Sequence, residues 1–87
     1  ATVAIDSHSG LAGIAHWINN FFHLDGDNVM DKRHPIIVAM KERVDAEYAQ
    51  GRNTVMSDLE LDDILKDIDY EFYKKLEHIN MRKNYID

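Results

Sequence analysis

From Leu11 onward the apolar residues fall at Leu11, Ile14, Ala15, Ile18, Phe21 and Phe22, the 3–4 spacing of one buried helical stripe. Ser7 to Gly10 open this helix, with Ser9 or Ser7 as the N-cap whose hydroxyl takes up a backbone N–H of the first turn. The helix should stop near His23-Leu24, before the polar loop Asp25-Gly26-Asp27-Asn28. Pro35 marks the first turn of a second helix, where its missing N–H has no partner to lose. Ile37, Met40, Val44 and Tyr48 form the second stripe, flanked by Ile36, and Gly51 reads as the left-handed residue that closes it.

A third pattern runs through Leu61, Ile64, Leu65, Ile68, Phe72, Leu76 and Ile79. Ser57-Asp58-Leu59-Glu60 has the spacing of a capping box at its start. Asp58 and Glu60 suit its positive end, Arg82 and Lys83 its negative end. Asp62/Lys66 and Glu71/Lys75 are expected as i,i+4 ion pairs. The pattern fits either one helix of about 25 residues or two broken near Asp67-Ile68-Asp69. Ahead of all three, residues 1–6 alternate weakly and are rich in β-branched side chains, so they form either an edge strand or a frayed arm. The expectation is an all-α fold of three or four helices in a single domain: an extended arm over 1–6, a helical segment over 7–66 and a helical tail over 67–87.

Composition narrows the function. A chain of 87 residues buries only about 60–65% of its unfolded surface, so the core is thin. Sixteen acidic against ten basic residues give a net charge of −6, which repels phosphate backbones and argues against a nucleic-acid partner. The absence of Cys removes disulfides, thiol nucleophiles and thiolate zinc sites. No apolar run approaches the ~20 residues of a membrane span, so no membrane partner is expected.

The candidate chemistry is sparse. Of the five histidines, His8, His16, His23, His34 and His78, no two form an i,i+4 pair. His16 and His23, seven apart, can share a helix face but lack a third ligand, so no metal is expected in this chain. Asp25 to Asp31 fails the calcium-loop pattern at Val29 and Met30. Trp17 lies off the main stripe beside His16, marking either a contact surface or the edge of the core. Tyr70, Phe72 and Tyr73 crowd the third pattern from more than one side, as on an element that packs against a second subunit or another domain. Gly13 either admits a close-approaching backbone or ligand or sits in a tolerant first turn.

Taken in order, Ser9-Gly10-Leu11-Ala12-Gly13-Ile14-Ala15-His16, a second helix ending at Tyr48-Ala49-Gln50-Gly51, and Ser57-x-x-Glu60 resemble a known arrangement. It is the helical segment that follows the catalytic barrel in the isopropylmalate synthase and homocitrate synthase family. The step His8-Ser9-Gly10 is similar to a His-Ser-Gly step at the same place in many members. The resemblance covers residues 7–66; the tail from Asp67 departs from it. It implies a cytoplasmic acyltransferase of amino-acid biosynthesis, which joins an acyl-CoA to a 2-oxo acid in a Claisen-type condensation. The divalent metal and the acyl-CoA would sit on the barrel, with no cofactor in this chain. The helices would act as a lid and homodimer element, inactive alone. Within them the resemblance points to His8 and His16 as catalytic; the glycine-bearing helix start offers Ser9, Gly10 and Gly13 as substrate-binding candidates, and the aromatic placement offers Trp17, Tyr70, Phe72 and Tyr73 as interface candidates. The alternative is a stand-alone acidic helical module that binds a partner protein through Trp17 and the aromatic side of the third helix.

Overall fold

The computed structural model describes residues 4–86, with side chains through residue 82. Among the described residues four helices follow one another: α1 (Leu11–Phe21), α2 (Pro35–Ala49), α3 (Asp58–Ile68) and α4 (Tyr70–Ile86), with a 3₁₀ turn at Gly26–Asn28. The fold is all-α, as the periodicity predicts. Helix α2 packs against both α1 and α3, and α4 packs on α3. The stripes meet in one core: Ile14 and Ile18 from α1, Ile37, Met40 and Val44 from α2, and Leu61 and Leu65 from α3 are buried together. Tyr73 and Leu76 of α4 close its far side.

The ends of the helices follow from named residues. Pro35 opens α2, and His34 caps it, its Nδ1 accepting the Ile36 N–H at 3.1 Å. Gly51 stands at φ +108°, the left-handed position expected of it. There the Arg52 N–H reaches back to Glu47 O and the Gly51 N–H to Tyr48 O, so the last carbonyls of α2 are satisfied. Ser57 and Glu60 form the reciprocal capping box of α3, the serine Oγ accepting from the Glu60 N–H at 3.1 Å and the glutamate from the Ser57 N–H at 3.0 Å.

Two expectations are corrected, and an alternative left open by the sequence is resolved. The N-cap of α1 is Gly10, without a side-chain cap, because the Ser9 hydroxyl is held by the preceding turn, where it accepts the Asp6 N–H at 2.9 Å. The third pattern is two helices: Asp69 leaves helical geometry at φ −157°, and its carboxylate then accepts the Phe72 N–H at 3.0 Å to start α4. Glu71 pairs with Lys74 at 3.0 Å, one residue short of the expected Lys75, whereas Asp62 and Lys66 pair as anticipated at 3.1 Å.

The N-terminal arm is docked. Ile5 is only 1% exposed and makes an isolated antiparallel bridge to Met56, whose N–H donates to Ile5 O at 2.8 Å. Among its described residues the arm contributes one core side chain and one bridge. Residues 1–3 of that arm lie outside the described residues.

Candidate functional site

The chain approaches α1 through a tight turn. The Asp6 carboxylate accepts the His8 N–H at 2.8 Å, and the Ser9 N–H returns to Asp6 O at 3.1 Å. This turn lifts the His8 side chain to 92% exposure, with Nδ1 3.4 Å from the Ser7 hydroxyl and 3.9 Å from the Asp6 carboxylate. Gly10 follows in extended geometry, and the first helical bond is the Ile14 N–H to Gly10 O. The N–H groups of Leu11, Ala12 and Gly13 therefore stand at the positive end of α1 without a side-chain cap. A Cβ at Gly10 would meet nothing within 4 Å, and at Gly13 only ordinary contacts with Ser9 at 3.7 Å and Ile5 at 3.9 Å. Neither glycine is required by packing among the described residues.

His16 lies on the exposed side of α1, opposite Ile14 and Ile18. It borders an open depression of about 440 Å³ shared with Asn19, Asn20, His23, Leu24 and Asp25. Two bonds to the backbone of Met30 lock Asn19: its Oδ1 accepts the N–H at 2.8 Å and its Nδ2 donates to the carbonyl at 3.1 Å. The depression is thus braced against the loop that follows. His8 stands ahead of the helix and His16 on its outer face, and no hydrogen bond joins them. His16 and His23, seven residues apart, line the same depression; Asn20 went unremarked in the sequence, although it lies four residues after His16, and Asp25 was read only as part of a polar loop. Among the described residues no three His, Asp or Glu side chains are grouped as metal ligands.

The four candidate interface residues divide. Trp17 is 5% exposed, stacked on Phe21 with ring centroids 4.9 Å apart, and its Nε1 donates to Asp58 at 2.9 Å. Tyr73 is buried edge-on against Phe22, its hydroxyl 3.3 Å from Glu77 and 3.5 Å from Asp62. Burial pushes its phenol up, and the carboxylates of Asp62 and Glu77 push it further. Phe72 is half-buried against the His34 ring. Tyr70 alone of the four is largely exposed, at 57%, with the Lys74 ammonium 5.2 Å above its ring.

A second charged cluster, at the α2–α3 junction, is structural. Arg52 binds both oxygens of Glu60, reaches Glu47, and donates to the carbonyls of Thr54 and Val55. The guanidinium and the Ser57 donors hold the Glu60 carboxyl down at about 2, and Glu60 in turn raises Arg52. Every strong donor and acceptor there is already committed, so the cluster fastens the connector rather than presenting it for chemistry.

The described residues thus form a small helical unit whose first helix starts without a side-chain cap and which exposes His8 and His16 beside that helix. Comparison with known proteins gives it a context. The chain is 48% identical over 58 residues to the citrate (Re)-synthase of Syntrophus aciditrophicus, a match covering 67% of this chain and 9% of that protein. It is 33% identical over 75 residues to the citrate (Re)-synthase of Clostridium kluyveri, covering 86% of this chain and 17% of that protein. The matched stretch is therefore a minor part of each relative. No family model matches the chain, and no solved structure does. Among the described residues no helix is long and apolar enough to cross a membrane.

Proposed function

We propose that this chain is a helical lid segment of a citrate-forming synthase, one that condenses an acyl-CoA with a 2-oxo acid on a separate catalytic barrel of the same polypeptide. The 48% identity to a citrate (Re)-synthase over two thirds of the chain carries this reading. It is supported by the order of the His8-Ser9-Gly10, Gly13-Ile14-Ala15-His16 and Ser57-x-x-Glu60 motifs. With citrate as product, the acyl donor supplies a two-carbon unit and the acceptor is a four-carbon 2-oxo diacid. A carbon–carbon bond forms between them, the ketone oxygen takes up a proton to become a hydroxyl, and water cleaves the thioester to release the thiol.

In this reading α1 faces the barrel mouth. The uncapped N–H groups after Gly10 receive a substrate carboxylate, with Ser9 holding the turn that aims them. His8 and His16 are placed to exchange the proton that the new hydroxyl needs, since imidazole is the side chain suited to proton transfer near neutral pH. Covering the mouth also excludes water until the condensation is complete. The divalent metal implied by the resemblance is assigned to the barrel. Tyr70 and the neighbouring exposed face of α4 are left to the homodimer contact, and the synthase is placed in the cytoplasm.

The test is to express the complete reading frame that contains these residues and assay citrate formation from acetyl-CoA and oxaloacetate. The account expects activity in the complete polypeptide and none in the 87-residue chain. A complete polypeptide without condensing activity, or an active 87-mer, contradicts it.

A further inference from the structure

We propose that His34 is a pH-sensitive latch joining the start of α2 to the first turn of α4, a device that stands apart from the synthase reading. His34 occupies the N-cap of α2, where its Nδ1 accepts the Ile36 N–H at 3.1 Å. Its own N–H returns to Asp31 O at 2.9 Å, so the backbone around the cap is fixed. The usual occupants of this position are Ser, Thr, Asp and Asn, whose oxygens go on accepting across the neutral range. An imidazole accepts only through a nitrogen that carries no proton. The cap therefore needs the neutral ring with its hydrogen on Nε2, and imidazole is the side chain that changes charge between about pH 5 and 8.

The same ring reaches a second helix. Helix α4 packs on α3 rather than along α2. The His34 ring nevertheless lies against Phe72, with centroids 5.3 Å apart and planes tilted by 34°. Phe72 belongs to the first turn of α4, where its N–H is held by the Asp69 carboxylate. A proton on Nδ1 would face the Ile36 N–H donor to donor and set a positive charge at the positive end of α2. The ring must then turn out of the cap, and the face it lays on Phe72 turns with it. One protonation uncaps α2 and releases the start of α4.

The surrounding charges do not offset this. In the loop before the cap, Lys32 and Arg33 are cations, and the Asp31 carboxylate is taken by the Arg33 N–H at 2.7 Å. From Pro35 to Met40, α2 carries no charge, and Lys41 is paired with Asp45 at 2.8 Å. On the α4 side Asp69 holds the Phe72 N–H, Glu71 is paired with Lys74, and Lys75 adds a further cation. Among the described residues no carboxylate forms an ion pair with His34.

The experiment is an NMR and thermal-unfolding titration of the 87-residue chain from about pH 7.5 to about pH 5.5. That window lies above the range in which Glu60 titrates, from 4.5 down to about 2. The ring nitrogen signals of His34 should report the Nε2–H tautomer at the upper limit. On acidification the Ile36 amide should lose protection from exchange by about fivefold, the Phe72 ring signals should shift in step, and Tm should fall by a few degrees. His34→Asn keeps an acceptor that does not titrate and leaves His8, His16, His23 and His78 in place, so its Tm should stay level across the window. An Nδ1–H tautomer at the upper limit overturns the latch. So does an Ile36 amide or a Phe72 ring indifferent to pH, or an equal fall of Tm in His34→Asn. The wild-type titration decides the matter even where that variant fails to fold.

Discussion

The indole Nε1 of Trp17 donates to the carboxylate of Asp58 at 2.9 Å, joining positions 41 residues apart. This bond ties the middle of α1 to the first turn of α3, and the stacked Phe21 covers the indole from its own helix. Trp17→Ala is expected to cost about 3–5 kcal/mol through lost burial. Trp17→Phe keeps most of the apolar contact and should cost about 1 kcal/mol, the net value of the hydrogen bond. Urea unfolding followed by circular dichroism separates the two. Equal losses would show that the bond to Asp58, and not the packing, holds α1 in place.

Ile5 and Met56 make a second long-range fastening. Ile5→Ala should destabilise by about 2–4 kcal/mol, because the side chain is fully enclosed and its removal leaves a cavity. The Met56 amide, which donates to Ile5 O, should be protected from hydrogen exchange in the intact chain and exchange freely once residues 1–6 are removed. An unchanged exchange rate would mean that the arm is not seated.

Acid should loosen the α2–α3 junction in a defined window. The Glu60 carboxyl titrates at about 2 in the folded chain against an ordinary value of 4.5, because it accepts from Arg52 and Ser57. A depressed folded value means that the contribution is complete above about pH 4.5 and is lost as pH falls toward 2. The urea midpoint of the wild type should therefore fall across that window, and Glu60→Gln should flatten the fall. A variant with the same pH slope as the wild type would assign the acid sensitivity elsewhere.

These relationships show what could be read from the sequence. The stripes of α1 and α2 are periodic, and Pro35, Gly51 and Ser57-x-x-Glu60 act within a few residues of themselves, so each was legible. The break at Asp69 was left open because Ile68 and Phe72 continue the apolar spacing across it, and one capping carboxylate does not disturb a hydrophobic pattern. Trp17 was ambiguous because its partner lies in another helix, and the Ile5–Met56 bridge was hidden for the same reason. At the candidate site, spacing suggested that His16 and His23 share a helix face; they line one depression, but His23 lies beyond the end of α1. The strained backbone of His23 did not follow from spacing, because the left-handed position that closes a helix normally calls for glycine.

His16 offers the cleanest functional variant, since it is exposed and makes no core contact. In the complete polypeptide, His16→Ala should lower kcat by about 10²-fold or more while changing stability by less than ~0.5 kcal/mol. Steady-state kinetics beside thermal unfolding checks this. Parallel losses of turnover and stability would make His16 a structural residue.

The most direct measurement of the central claim is citrate production from acetyl-CoA and oxaloacetate by the complete reading frame, assayed beside the 87-residue chain. The account predicts turnover by the complete polypeptide and none by the chain alone. Turnover by the isolated helices, or a complete polypeptide that makes no citrate, would contradict it.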